Sequence, residues 1–176
     1  MSNGDDETAL SDFVTMSAAL TGFTAATLRP AVDPSGLART YLDTVIKEVG
    51  STAYAALQTL YLVNARNPPQ QIADALLETS SGEPASKTAL LAQSIVQLWY
   101  LGSWYAPAAP ACPPAAANPV RVVSSDAYKS GLAWKLLQTH PMGYSEFSFG
   151  YWSAQPPPLS EFGVDEASNP GGGSDE

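Results

Sequence analysis

The side chains that most often do chemistry are scarce in this sequence. Its 176 residues include one histidine, His140, and one cysteine, Cys112. Metal sites built from nitrogen and sulfur take three or four such ligands, and covalent haem attachment takes a Cys-x-x-Cys-His motif. A single histidine and a single cysteine cannot supply either set. The sequence therefore predicts no metal or haem site of these kinds in this chain.

Acidic side chains offer a second route to catalysis. Candidates away from the chain ends include Asp43, Glu48, Asp74 and Glu78. Paired-carboxylate catalysis needs two acids that converge on one cleft, but these four fall on polar faces of predicted helices. His140 follows the last predicted long helix, and no serine lies in a nucleophile elbow that it could activate. We therefore predict that the chain is not itself an enzyme.

Cofactors and nucleic acids need features that this sequence also lacks. A dinucleotide site needs a Gly-rich turn between a strand and a helix, but the only glycine run, residues 171–173, lies in an acidic tail. Nucleic-acid binding needs clustered Lys and Arg, and here eight scattered cations face seventeen acids, for a formal net charge of −9. No apolar run is long enough to span a bilayer. We predict no cofactor in this chain, no nucleic-acid partner and no membrane span.

The apolar spacing predicts an all-α fold of five or six helices. The clearest pattern is a helix that Ser86 caps, with its apolar side chains three and four residues apart. A connector at 106–119 follows, in which seven Ala and five Pro exclude a helix. Cys112 lies in this connector, where a free thiol and a cross-link to a partner both stay open. Beyond Pro141 we predict a long irregular segment, rich in proline and aromatic residues.

Composition divides the chain into three parts. Residues 1–8 are acidic and predicted to be disordered, residues 9–158 form the helical domain, and residues 159–176 form a disordered acidic tail. The first residues have neither a basic nor an apolar segment, so we expect no export leader in the chain as written.

Aromatic residues are concentrated late in the sequence. Of seventeen Phe, Trp and Tyr residues, twelve lie between Trp99 and Phe162. Four of them fall within residues 99–105 and point around a helix end, so one core face cannot bury them all. Either the chain's own loops cover them or a partner does. The predicted partner-interface residues are Trp99, Tyr100, Gly102, Trp104, Tyr105, Tyr144, Phe149, Tyr151 and Trp152.

Gly102 has two interpretations that stay open. It can end its helix with a left-handed backbone, or it can allow a partner's backbone to approach closely.

Three stretches, in this order, resemble one protein family. They are Ser-Asp-Phe-Val-Thr-Met-Ser at 11–17 with Leu-Thr-Gly at 20–22; Ile-Val-Gln-Leu-Trp-Tyr-Leu-Gly at 95–102; and residues 128–134 followed by Gly-Tyr-Trp at 150–152 and Pro156. Over residues 9–158 the chain resembles the small (gamma) subunit of bacterial membrane-associated FAD-dependent sugar and polyol dehydrogenases, which act on sorbitol, fructose, glucose or gluconate.

The resemblance implies a non-catalytic accessory subunit. In such complexes a large subunit holds FAD and oxidises the substrate, and a multihaem cytochrome c subunit often passes the electrons on. The small subunit escorts the large one to the periplasm through a twin-arginine leader, and the complex is peripheral to the inner membrane. Here only ten residues precede Ser11, so either the leader has been removed or this member lacks one, and in the second case escort by a leader does not carry over to this chain. The alternative is a free-standing periplasmic module whose aromatic cluster binds a sugar or another small ligand.

Overall fold

Helices make up most of the described part of the chain. The computed structural model describes residues 3–33, 35–79, 84–107, 120–141 and 144. These ranges hold eight helices and one two-stranded antiparallel sheet. Their bounds are α1 Asn3–Thr21, α2 Ala25–Leu28, α3 Leu37–Val49, α4 Ser51–Asn64, α5 Pro69–Leu77, α6 Lys87–Leu101, β1 Ser103–Trp104, β2 Arg121–Val122, α7 Ser125–Lys129 and α8 Leu132–Leu136. The all-α prediction is confirmed, although the helices number eight rather than five or six.

The first helix begins earlier than the composition predicted. Residues 3–8 belong to α1, whereas the sequence predicted disorder there. Arg29 Nη1 donates to Glu7 Oε1, and Arg39 Nη1 donates to Asp6 Oδ1, each at 2.7 Å. Acidic side chains also favour a helix N-terminus because of the helix dipole. These cations lie far along the chain, so the acidic segment gave no local sign of its partners.

The central helix of the fold is α6, which contacts α1, α3, α4, α5 and α8. It begins where the sequence predicted, since Ser86 Oγ accepts from the Ala89 N–H at 3.1 Å. Its buried side chains include Ile95 and Leu98, both fully covered. A helix with neighbours on most sides can bury residues around much of its axis, which explains why α6 carries a single charged residue, Lys87, in its first turn.

The last predicted helix is split in two. The sequence predicted one helix capped by Ser125, but α7 and α8 are separate, and the α7 cap is Ser124, whose Oγ accepts from the Ala127 N–H at 3.0 Å. Gly131 separates them with an extended backbone, φ −52° and ψ 132°. A Cβ at Gly131 would lie 2.7 Å from the carbonyl oxygen of Tyr100. The chain therefore bends here because it passes directly over the end of α6.

Candidate partner interface

The described parts of the three stretches that carry the resemblance lie against one another. The ring of Phe13 in α1 is 6.2 Å from that of Trp99 in α6, centroid to centroid. The Tyr100 hydroxyl donates to the carbonyl of Thr21 at 2.9 Å. Gly102 packs against the carbonyl of Ala127, immediately before the third stretch. The C-terminal end of α6 is therefore the point where these stretches meet.

Trp99 lies in the core of the chain and not on its surface. Its side chain is 3% exposed. It stacks on Phe13 and meets Tyr41 edge-on, with the Tyr41 and Trp99 ring centroids 4.7 Å apart. The Trp99 Nε1 has no hydrogen-bond partner among the described residues. Because its ring is enclosed by this chain's own helices, Trp99 is not accessible to a partner in this structure.

Gly102 explains why Trp104 is buried as well. Gly102 has φ 62° and ψ 20°, and its N–H donates to the Leu98 carbonyl at 2.9 Å. The structure therefore shows the left-handed helix cap, which was one of the two open interpretations of Gly102. The turn directs the chain into β1, where Trp104 is 3% exposed. The sequence analysis expected these rings to point around one helix end. That expectation assumed helical geometry beyond Leu101, but α6 ends at Leu101.

The close backbone approach at Gly102 is internal. A Cβ at this position would overlap the carbonyl of Ala127 in α7. Gly102 is itself buried. Of the two open interpretations, the structure therefore shows the cap, together with a close contact to this chain's own α7.

The other predicted interface residues are more accessible or lie outside the described residues. Tyr100 and Tyr105 are half-buried, and burial raises the pKa of Tyr100. Tyr144 is 47% exposed, and the Lys129 ammonium lies 5.0 Å from the centre of its ring, within range of a cation–π contact. The remaining three, outside the described residues, are Phe149, Tyr151 and Trp152.

An apolar surface that the sequence did not reveal lies at the same end of α6. We call it the α6-end surface and define it by Leu101, Val120 and Val122, which are 39%, 50% and 53% exposed. The short sheet holds these residues near one another, since Ser103 pairs with Val122 and the Val123 N–H donates to the Gly102 carbonyl at 3.1 Å. The sequence signal at 120–123 was an extended segment, but its sequence alone did not indicate which side chains face solvent.

An ion pair fixes β2 to α3. Arg121 Nη2 donates to Glu48 Oε1 at 2.6 Å, close to the C-terminal end of α3. Both side chains are partly exposed, so the pair adds little stability, but it sets the position of the strand. The α6-end surface is therefore attached to the same end of α3 from which α4 starts.

A small cavity lies on the other side of Trp99. It has a volume of about 160 Å³ and is lined in part by Tyr41, Trp99, Ser130 and Lys135. Lys135 is half-buried and has no ion pair among the described residues. The cavity is partly open to solvent, and its volume is below the roughly 300 Å³ of ordinary small-molecule sites, so it has room for a small fragment only. Its mixed lining suits a small polar molecule with hydroxyl or carboxylate groups.

The four acids considered as catalytic candidates are either exposed on a helix or hydrogen-bonded to residues nearby in the fold. Asp43 and Glu48 are exposed on α3, and Asp74 Oδ1 accepts from Gln70 Nε2 at 2.9 Å. Glu78 ends α5 with φ 54° and accepts from the Ser86 N–H at 2.9 Å; its hydrogen bonds with Ser86 lower its pKa. Within the described ranges no cluster of His, Cys, Asp or Glu is placed to hold a metal ion, and no helix is long and apolar enough to cross a membrane.

The end of α6 thus combines a buried aromatic core with an exposed apolar rim. The exposed leucine and valine side chains of this rim are suited to binding another molecule by apolar contact.

Two further residues singled out by the sequence are not part of this rim as described. His140, whose Nδ1 lies 3.1 Å from the Pro141 carbonyl, is half-buried, and Cys112 lies outside the described residues. A scan against protein-family models, a search of curated proteins and a search of solved structures each find no match to this chain.

Proposed function

We propose that this chain is a non-catalytic accessory subunit of a periplasmic FAD-dependent sugar or polyol dehydrogenase. It binds and stabilises the large FAD-containing subunit and supports the maturation and export of that subunit. One observation carries the proposal: the described parts of the stretches that resemble the small-subunit family pack together at the end of α6. A surface built from all three stretches requires that they lie near one another, and their described parts do.

The α6-end surface supports a binding role. Its valine and leucine side chains are exposed beside a rigid core, and contiguous exposed apolar groups mark protein contacts. Because these side chains are already about half covered, covering the rest contributes roughly half of the 1.5–3 kcal/mol that full burial of such a side chain gives. A partner that binds only the folded large subunit also shifts that subunit's folding equilibrium toward the native state. By this shift in the folding equilibrium, an escort subunit stabilises the large subunit that it binds.

The proposal assigns the chemistry to other chains. FAD and the sugar or polyol site belong to the large subunit, and a multihaem cytochrome c subunit receives the electrons. The complex is peripheral to the inner membrane on its periplasmic side. This chain then contributes contacts only.

Co-expression tests the proposal. The chain is produced with the large flavoprotein encoded beside it, and flavin absorbance is followed through size-exclusion chromatography. We expect the two chains to elute together, and the yield of flavin-loaded large subunit to fall at least fivefold without this chain. Val120→Glu, at the α6-end surface, should weaken co-elution. A large subunit that folds, loads flavin and elutes alone in the presence of this chain would contradict the proposal.

The cavity beside Trp99 favours a second candidate, a free-standing small-ligand binding module. Titration calorimetry of the isolated chain with sorbitol and gluconate tests it directly. Binding heat that disappears in Lys135→Met would support this function, because Lys135 lines the cavity. Absence of heat with both compounds would reject it.

A further inference from the structure

The cavity beside Trp99 has a closed apolar side and an open polar side. Leu28, Tyr41 and Trp99 line the closed side and are 3%, 1% and 3% exposed. Ser35 and Ser130 also line the cavity but are exposed, so the side that they form faces solvent. A molecule with one apolar end and one polar end matches this arrangement.

One wall of the cavity is held in place by this chain's own contacts. This wall is the loop between α2 and α3, which contributes Asp33 and Ser35. Arg29 lies at the start of the loop and Arg39 just after its end, and each donates to a carboxylate of α1 at 2.7 Å. The Asp33 Oδ1 accepts from the Ser35 hydroxyl at 3.0 Å and from the Gly36 N–H at 2.8 Å. Because the wall is already ordered, a ligand that binds there pays little for ordering it.

The two charged residues that line the cavity differ in how their charge is balanced. Asp33 accepts the two hydrogen bonds just described. The hydrogen bond to Glu7 and the nearby charge of Asp33 both raise the pKa of Arg29, so Asp33 also has a cation close by. Lys135, on α8, is half-buried and forms no ion pair among the residues that the structure describes. A partly buried ammonium without a counterion favours an anion beside it, so the unbalanced charge at this cavity is positive.

The volume of the cavity limits the size of the ligand. The cavity measures about 160 Å³. Water takes about 30 Å³ per molecule, so the cavity holds on the order of five groups of that size. Propionate and butyrate are close to this limit, and their carboxylate can extend into the open side. Sorbitol and gluconate are much larger, so only part of either molecule can enter.

We propose that this cavity is a binding site for a short-chain monocarboxylate such as butyrate, with the carboxylate at Lys135 and the alkyl chain against Tyr41 and Trp99. The alkyl chain then leaves water for the closed side, and the charge contact sets the orientation of the ligand. Because so few atoms are in contact, we expect a dissociation constant on the order of 1 mM. The inference goes beyond both candidate functions, since the site needs neither the flavoprotein nor a sugar.

Nuclear magnetic resonance of the isotope-labelled chain tests the proposal. Sodium butyrate is added, and the signals of the Leu28, Ser35 and Ser130 backbone amides and of the Trp99 indole N–H are followed. We expect these signals to shift and to reach saturation. Butylammonium chloride, which carries the opposite charge on an alkyl chain of similar length, should shift them no more than sodium chloride does. Uncharged butanol should bind more weakly than butyrate.

Two lysine variants separate the cavity from a general effect of charge. Lys135→Met removes an ammonium from the cavity, and Lys47→Met removes one from an exposed site on α3. Neither lysine forms an ion pair among the described residues. We expect Lys135→Met to weaken butyrate binding at least tenfold and to leave butanol binding unchanged. Lys47→Met should match the wild type with both compounds.

Several results would overturn the proposal. Equal shifts with butyrate and butylammonium would do so, as would shifts that rise without saturation or that spread over the whole surface. Equal weakening in Lys135→Met and Lys47→Met would show a general effect of charge. If sorbitol or gluconate shifts the same signals as strongly as butyrate, the size limit is wrong and the second candidate function gains support instead. Should Lys135→Met fail to fold, the comparison of butyrate with butylammonium in the wild type decides.

Discussion

Trp99 and Trp104, around the end of α6, are each 3% exposed, whereas Leu62 and Val63, at the end of α4, are 55% and 78% exposed. Both helices are nearly free of charged residues, so their compositions do not separate them. The difference lies in their surroundings, because α6 is the central helix of the fold and α4 packs along one side only. An uncharged helix indicates burial, but the fold decides whether this chain or a partner supplies the cover.

The largest loss of stability is expected at Gly102. Gly102 and Gly36 both have a left-handed backbone, with φ 62° and 57°, but a Cβ at Gly102 overlaps α7 while one at Gly36 meets nothing within 4 Å. Gly102→Asn should therefore lower the free energy of unfolding by about 3 kcal/mol or more, because asparagine tolerates the dihedrals but not the overlap. Gly36→Asn should cost less than about 1 kcal/mol. Urea unfolding measures both, and equal losses would show that the α7 contact adds nothing.

Truncating a buried side chain of α6 should cost more stability than truncating an exposed one of α4. Trp99→Ala removes contacts with Phe13 and Tyr41 and should cost about 3–5 kcal/mol of stability. Val63→Ala removes a side chain that touches mainly water and should change stability by less than about 0.5 kcal/mol. Unfolding by urea gives both values for the isolated chain. A stable Trp99→Ala variant would mean that Trp99 does not belong to the core.

Local signals predicted much of the fold. The Ser86 and Gly102 caps each depend on a side chain or a backbone angle within one helix turn, so the bounds of α6 followed from the sequence. The N-terminal start of α1 could not be predicted from the local sequence, because the ion-pair partners of Asp6 and Glu7 lie 33 and 22 residues away. Information carried by distant contacts is not visible in a local pattern.

The candidate site was predicted less well, for a related reason. Four of the predicted interface residues, Trp99, Tyr100, Trp104 and Tyr105, lie in the last turn of α6 or just beyond it, but the burial of Trp104 depends on the turn at Gly102 and on the pairing of β1 with β2. The exposure of Val120 and Val122 depends on the same pairing. Residue type indicated where rings concentrate, and only the path of the chain determined which of them face solvent.

A smaller effect distinguishes two tyrosine hydroxyls near the core. The Tyr54 hydroxyl is buried with no partner among the described residues, whereas that of Tyr100 donates to the Thr21 carbonyl. Since an unpaired buried hydroxyl is unfavourable, Tyr54→Phe should raise the free energy of unfolding by about 1 kcal/mol. Tyr100→Phe should lower it by about the same amount. Identical effects in thermal melts would contradict this assignment.

Alkaline pH should reveal the same tyrosine. Burial, with a further contribution from the Asp12 carboxylate, raises the pKa of Tyr54 above its ordinary value of 10.0. A raised pKa in the folded state means that the fold favours the protonated tyrosine. The full stability is therefore present below about pH 10 and is lost as the pH rises toward the pKa that Tyr54 has in the folded state. Tyr54→Phe should therefore lose less stability above pH 10 than the wild type. Parallel curves of stability against pH would contradict the expectation.

The smallest expected effect concerns the N-terminal turns of α1. The hydrogen bond from Arg29 holds the pKa of Glu7 below its ordinary value of 4.5. A lowered pKa in the folded state means that the Glu7–Arg29 pair stabilises the fold above about pH 4.5. This stabilisation is lost as the pH falls through the pKa that Glu7 has in the folded state. The wild type should lose a little helical circular dichroism in that acid range, and Glu7→Gln should show less of this change. Asp43→Asn removes a charge from an exposed site on α3 and serves as the control. If Glu7→Gln and Asp43→Asn behave alike, the pair with Arg29 does not hold these turns, and the early start of α1 must depend on its helix dipole and the pair between Asp6 and Arg39.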